Sequence, residues 1–213
     1  MEKNFSKTKE DNLFKGYHTQ ELITSNKSLW EEQFRCCDKL QEYNNTKPSD
    51  IKTRQKLIKE MFAEVGENCF IEIPFYANWG GKHVHIGNNF YSNFNLTLVD
   101  DTHIYIGNDV LCAPNVTICT SSHPIDPELR RKGYFFNRPV KIGNNVWIGS
   151  GTTILPGVSI GDNTVIGAMS CVTKDIPANV VAFGNPCRVQ REIGDYDKEF
   201  YFKGHKINYD NIE

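Results

Sequence analysis

From Ile142 onward an aliphatic residue returns at every sixth position: Ile142, Ile148, Ile154, Ile160, Ile166 and Val172. The same interval links Ile106, Cys112 and Ile118, and before them Ile86, Ser92, Leu98 and Ile104. A two-residue insertion resets the register at Ile106. A period of six fits neither a helical face nor a simple alternating strand, whose periods are about 3.6 and 2. It predicts a short strand and a turn, repeated. The tetrapeptide Ile-Gly-[Asn/Asp]-[Asn/Asp] punctuates the pattern, starting at Ile86, Ile106, Ile142 and Ile160. Gly, Asn and Asp tolerate positive φ, so each hexad is expected to send one aliphatic residue inward and then turn a Gly/Asx corner. Three hexads make one triangular coil. Stacked coils pair backbone to backbone at about 4.8 Å and align their aliphatic residues in interior columns. The predicted fold class is mainly β, a parallel β-helix of hexapeptide repeats.

The spacing of the tetrapeptides locates an interruption. Ile142 to Ile160 is one regular coil, and Ile86 to Ile106 is one coil plus the two-residue insertion. Ile106 to Ile142 is twice a coil, yet the segment from Cys119 to Lys141 loses the hexad and holds three prolines and a cluster of Arg and Lys. We read 106–123 as one coil and 124–141 as a loop excursion with His123 at its root. Long loops in compact domains usually carry function.

The first 66 residues follow another rhythm. Leu29, Trp30, Phe34, Cys37 and Leu40 are spaced for a helix running from Ser28 to Tyr43, broken by Lys47-Pro48-Ser49-Asp50. Ser49 is expected to cap a second helix carrying Ile51, Ile58, Met61, Phe62 and Val65, with Gly66 stopping it. Residues 1–66 thus read as a helical cap over one open end of the β-helix, 67–190 as the repeat domain and 191–213 as a polar, aromatic tail.

Composition narrows the function. Lys plus Arg number 24 against 26 Asp plus Glu, a formal charge of −2, which argues against a protein that coats nucleic acid or an anionic membrane. No apolar run approaches the roughly 20 residues of a membrane span. The stretch Met1–Lys7 lacks an apolar signal core, so a cytoplasmic location is expected. The seven cysteines include no C-x-x-C pair and are read as free thiols, with Cys112 in an inward column.

Several motifs carry a resemblance: Leu57-Ile58-Lys59-Glu60-Met61-Phe62, Asn93-Phe94-Asn95-Leu96-Thr97, Ala113-Pro114-Asn115-Val116, His123-Pro124-Ile125-Asp126, Ile142-Gly143-Asn144-Asn145-Val146-Trp147-Ile148-Gly149, Val172-Thr173-Lys174-Asp175-Ile176-Pro177 and Gly184-Asn185-Pro186-Cys187-Arg188-Val189. The chain resembles the hexapeptide-repeat (left-handed β-helix) acyltransferases, in the galactoside and maltose O-acetyltransferase branch. The resemblance implies a homotrimer with active sites at subunit interfaces. It also implies direct transfer of acetyl from acetyl-CoA, a co-substrate, to a sugar or glycoside hydroxyl, with no metal required.

By the same resemblance His123 falls at the catalytic position and the backbone N–H of Ser150 at the oxyanion position. That assignment suits the chemistry, because a sugar hydroxyl needs a base that works near neutrality. Trp147, Ser150, Ala168, Thr173, Lys174, Arg188 and Arg191 match the acetyl-CoA positions, and Asn78, Tyr91, Asn93 and Asp101 the acceptor positions. Taken singly, the lysine and arginines read as solvated rim charges, and Asn93 and Asp101 as corner residues.

Two departures stand out. Where the galactoside branch places an Asp near Leu13-Phe14, this chain has Gly16 and Tyr17-His18. Where many relatives carry a Glu about a dozen residues after the catalytic His, it reads Tyr134-Phe135-Phe136, an aromatic loop tip suited to a more apolar acceptor. Two other enzyme readings share the fold. One is acetyl transfer to a different acceptor, such as an amino sugar, an antibiotic hydroxyl or serine. The other is a zinc carbonic-anhydrase-like site, which needs three converging histidines drawn from His18, His83, His85, His103, His123 and His205. A third reading is a binding module without catalysis.

Overall fold

The computed structural model describes Phe14 and residues 16–212; Met1–Lys7 and Leu13 lie outside the described residues. A strand β1 (Ile23–Thr24) precedes helices α1 (Trp30–Asn44) and α2 (Ile51–Met61). The β-helix then begins. Its first coil contains β2 (Glu64–Val65), β3 (Phe70–Ile71) and β4 (Tyr76–Ala77). The second contains β5 (Val84–Ile86), β6 (Tyr91–Ser92) and β7 (Thr97–Val99), and the third β8 (Ile104–Ile106), β9 (Leu111–Cys112) and β10 (Thr117–Cys119). Strand β11 (Ser121–Ser122), the short helix α3 (Pro127–Arg131) and β12 (Tyr134–Asn137) form an excursion. The fourth coil contains β13 (Val140–Ile142), β14 (Trp147–Ile148) and β15 (Thr153–Ile154), and the fifth β16 (Ser159–Ile160), β17 (Val165–Ile166) and β18 (Cys171–Val172). Strand β19 (Val180–Phe183) extends the stack, and β20 (Arg188–Glu192) pairs antiparallel with it.

Corresponding strands stack into three sheets: a first face from β2 to β16, a second from β3 to β19, and a third from β4 to β18. Within the coils all pairings are parallel. Ile106 is the partner of Ile142, so the 36 residues between them are one coil plus the excursion. The backbone N–H of Arg138 donates to the Thr120 carbonyl at 2.7 Å, closing the excursion at its root. The architecture is the left-handed parallel β-helix expected for hexapeptide repeats.

The interior is denser than one residue per hexad. Beside the column Ile142, Ile148, Ile154, Ile160, Ile166 and Val172, the residue two positions before each strand aliphatic is buried too: Val146, Thr152, Val158, Thr164 and Ser170. The buried hydroxyls are satisfied locally; Thr164 donates to the Pro177 carbonyl at 2.8 Å. The corner also works differently from expectation. Positive φ falls on the second Asx of the repeat, at Asn89, Asp109, Asn145 and Asn163, not on the glycine. The glycine is there because the next coil is close. A Cβ on Gly107 would lie 2.7 Å from the Gly143 carbonyl carbon. The Asx side chains form ladders up the stack, such as Asn145 Nδ2 to Asn163 Oδ1 at 3.0 Å and Asn163 Nδ2 to Asn179 Oδ1 at 2.9 Å.

The helices cover the first coil. Leu40, Tyr43, Leu57, Ile58, Met61 and Phe62 join one core with Ile71 and Phe75. The coil's open backbone edge is met by side chains. Asn44 donates to the Phe75 carbonyl at 2.8 Å and accepts from its N–H at 3.0 Å, and Tyr43 Oη donates to the Ile71 carbonyl at 2.6 Å. Three helix expectations need correction. The cap of α2 is Asp50, whose Oδ1 accepts from the Thr53 N–H at 3.2 Å, rather than Ser49. The helix ends at Met61, with Phe62 already extended, rather than at Gly66, and Val65 belongs to β2. Trp30 and Phe34 are exposed despite their helical spacing. All seven cysteines are free, and burial pushes the Cys112 thiol up to about 12, so it behaves as core. Among the described residues no helix is long and apolar enough to cross a membrane.

Candidate active site

Every departure from the 18-residue coil in the first three coils falls at the edge joining the third face to the first. There lie Asn78–His83, Asp100–His103 and the excursion. This edge is therefore the one place where the chain builds outward from the prism, and a cleft of about 370 Å³ opens there. His123, Asp101, Asn78 and Ser121 supply its polar side; Tyr17, Trp30 and Phe135 supply an aromatic one.

His123 directly follows β11. Its Nδ1 lies 3.0 Å from the carbonyl oxygen of Tyr134 on β12. A carbonyl only accepts, so Nδ1 carries the proton, and the neutral imidazole keeps its lone pair on Nε2. The ring is thus prepared to take a proton at Nε2. The tautomer is thus set by the backbone carbonyl of Tyr134, in the stretch where many relatives carry a Glu.

Asp101 is held by neighbours on the coil below. Asn78 Nδ2 donates to its Oδ2 at 2.8 Å, and the Trp79 indole N–H to its Oδ1 at 3.3 Å. Burial raises the Asp101 carboxyl above the usual carboxylate range; these two hydrogen bonds and the His123 charge oppose the rise. Helix α1 fixes Asn78 in turn, since Gln33 Nε2 donates to the Asn78 carbonyl at 3.2 Å. Below them the buried Asp100 accepts from the N–H groups of Trp79 and Gly81 at 2.7 and 3.0 Å, which pins the turn carrying Asn78 and Trp79.

The remaining candidates divide by edge. Ser150 and Ala168 lie at the edge joining the second face to the third. The Ser150 hydroxyl donates to the Pro114 carbonyl at 2.9 Å, and the N–H of Met169, next to Ala168, donates to the Ser150 carbonyl at 2.8 Å. Asn93 belongs to the same edge, its side chain accepting from the Phe94 N–H at 2.9 Å. Tyr91 and Trp147 stand outward on the second face, Trp147 in register between Leu111 and Val165 and 53% exposed. Val146, the residue before Trp147, is buried in the interior. Arg188 follows Cys187 on the same side, and Arg191 is clamped to Asp197 by two 2.7 Å contacts. Thr173 and Lys174 are exposed beyond β18, back on the His123 edge. Within one chain, Asn78 and Asp101 therefore meet His123, whereas Asn93, Tyr91, Trp147, Ser150 and Ala168 do not.

Sequence reasoning missed Trp30, Gln33 and Ser121. Trp30 was assigned to a helix core by spacing alone. Among the described residues no group of three or more His, Cys, Asp or Glu side chains is placed to hold a metal ion. His85 and His103 instead hydrogen-bond to each other at 3.0 Å, and His103 stacks on His18 at 4.5 Å.

A parallel β-helix whose coil edges present a tautomer-fixed histidine has the form of a hexapeptide-repeat transferase, and known proteins agree. The pattern described as bacterial transferase hexapeptide (six repeats) matches residues 139–174, and the maltose acetyltransferase hexapeptide capping motif matches residues 23–66. A galactoside O-acetyltransferase of Lactococcus lactis subsp. lactis (strain IL1403) is 54% identical over 93% of this chain and 97% of its own length. That of Escherichia coli (strain K12) is 56% identical over 84% and 88%. Among solved structures, a galactoside acetyltransferase in complex with coenzyme A superposes with a TM-score of 0.88 at 52% identity, covering 91% of this chain and 97% of that one. A maltose O-acetyltransferase from Clostridium difficile 630 gives 0.83 at 41% identity, covering 85% and 97%. The chain belongs to the hexapeptide-repeat acyltransferases. Within them it falls in the branch of the galactoside and maltose O-acetyltransferases, and it is an acetyltransferase.

Proposed function

We propose that this protein transfers acetyl from acetyl-CoA directly to a hydroxyl of a sugar or glycoside, with His123 as general base. The observation that carries the reading is the Nδ1–Tyr134 hydrogen bond, which leaves the imidazole lone pair on Nε2 of His123, a residue that lines the cleft. The acceptor hydroxyl gives its proton to Nε2 as its oxygen attacks the thioester carbonyl carbon. The resulting oxyanion is met by the backbone N–H of Ser150. Collapse breaks the carbon–sulfur bond, and the imidazolium returns the proton to the departing thiolate. Asp101 and Asn78 hold the sugar, and Asp101 also favours the transient imidazolium.

The division of the candidates between two edges supports a homotrimer with sites between subunits. The His123 edge of one subunit would face the Ser150 edge of the next, bringing Tyr91, Asn93 and Trp147 to the cleft from across the interface. The exposed apolar column of Tyr91, Leu111 and Trp147 on the second face suits such a contact. CoA carries phosphates that Lys174, Arg188 and Thr173 would meet with charge and hydrogen bonds, while Ala168 leaves room for the pantetheine arm. Arg191 would have to share its guanidinium with Asp197. The aromatic wall of Tyr17, Trp30 and Phe135 favours acceptors with an apolar portion beside the reacting sugar. The test is an acceptor panel assayed by CoA release and compared by kcat/KM. Glycosides with apolar aglycones are expected to lead; an amino sugar, an antibiotic hydroxyl or serine leading instead would overturn the acceptor assignment.

A further inference from the structure

We propose that the N-terminal strap, residues 16–26, is a positioning element for His123 and acts through β12. The proposal rests on the reading of His123 as the base. Strand β12 is the centre of a three-stranded antiparallel sheet that stands outside the β-helix, in the order β1-β12-β11. On one side β11 leads directly into His123. On the other, β1 pairs Thr24 with Tyr134 and Ile23 with Phe135. The strap therefore backs the very residue whose carbonyl accepts the hydrogen bond from Nδ1 of His123.

Two-strand hairpins of this length are marginal in water, and β11 and β12 share only the pairs Ser121–Asn137 and Ser122–Phe136. The third strand is anchored independently. Asn137, 1% exposed, donates from Nδ2 to the Tyr17 carbonyl at 3.0 Å. This buried amide thereby ties β12 directly to the strap. Tyr17 packs edge-on to Trp79 and Phe135 at 6.0 and 5.5 Å, and His18 Nδ1 lies 2.8 Å from Thr102 Oγ1. The strap is thus fastened to the same coil edge that carries Asp101. If it loosens, the Tyr134 carbonyl moves, and His123 loses the acceptor that selects its Nδ1–H tautomer.

Ile23→Pro removes an N–H and places in β1 a residue that paired strands reject. Asn137→Ala cuts the tether and leaves the backbone pairing intact. In both, kcat is expected to fall about 10- to 100-fold, the scale of a misplaced reacting group, with the KM for acetyl-CoA unchanged. The ¹⁵N spectrum of His123 should change from a single Nδ1–H form to a tautomer mixture. Wild-type kcat and a wild-type tautomer in both variants would overturn the proposal, as would a kcat loss matched by equal loss of acetyl-CoA affinity with the tautomer unmoved. His123→Ala in the same assay separates the two layers: if it stays active, the base assignment fails; if it is inactive while both strap variants match wild type, only the strap fails.

Discussion

At the scale of single residues, the proposed mechanism turns on which nitrogen of one imidazole is free. His123→Ala should lower kcat by about 10² to 10⁴ while acetyl-CoA affinity, measured by titration calorimetry, stays near wild type. Trp30→Ala should raise KM several-fold for acceptors with an apolar aglycone and leave acetyl-CoA KM alone, because Trp30 lines the aromatic side of the cleft. An equal loss for free monosaccharides would contradict that placement. The position of His123 was legible in the sequence from the His-Pro motif at the root of an irregular segment. Its partner was not, because a backbone carbonyl leaves no trace in side-chain identity. Of the acceptor-side residues, Asn78 and Asp101 meet His123, whereas Asn93 stands on another edge of the same chain and Tyr91 on its second face.

At the scale of elements, a six-residue period was enough to specify the β-helix, since each hexad repeats the same inward aliphatic residue and the same corner. What the period concealed was the reason for its glycine. Gly107→Ala would set a Cβ 2.7 Å from the Gly143 carbonyl, between two coils that cannot separate without breaking their ladder. A loss of about 1–3 kcal/mol is expected, read as a drop in Tm. An unchanged Tm would mean that the coils are not so closely stacked. Strands β1 and β12 could not be foreseen, because two residues in a polar stretch and four in an aromatic, proline-bounded one carry no period to read. Helix α1 misled in a different way. Trp30 keeps helical spacing with Leu40, yet its face turns to the cleft rather than to the core.

At the scale of the whole molecule, the strap meets the coil edge beside two histidines, His83 and His103, whose protonation works against folding. Burial holds His83 down to about 3 and His103 down to about 4, and neighbouring histidines add to both effects. The unfolded chain, with ordinary histidines, binds more protons below pH 6.5, so their contribution to stability is complete above 6.5 and is lost as pH falls towards 4 and then 3. Asp100, raised to about 7 by burial, acts in the opposite sense over the range between its ordinary value and 7. The clean readout is therefore a comparison: His103→Gln should show a shallower fall of Tm between pH 6.5 and 4 than wild type, and an identical slope would contradict the assignment. The larger claim concerns assembly, since the two halves of the proposed site lie on different edges of one chain. His123→Ala destroys one half, and Ala168→Trp obstructs the other. Each protein alone should show about a hundredth of wild-type activity or less. Co-refolded in equal amounts, they should regain about a quarter of wild-type activity, because a quarter of the interfaces then join an intact His123 edge to an intact Ala168 edge. His123→Ala alone at well above a hundredth of wild-type activity, or no recovery in mixed assemblies shown to contain both chains, would contradict the account.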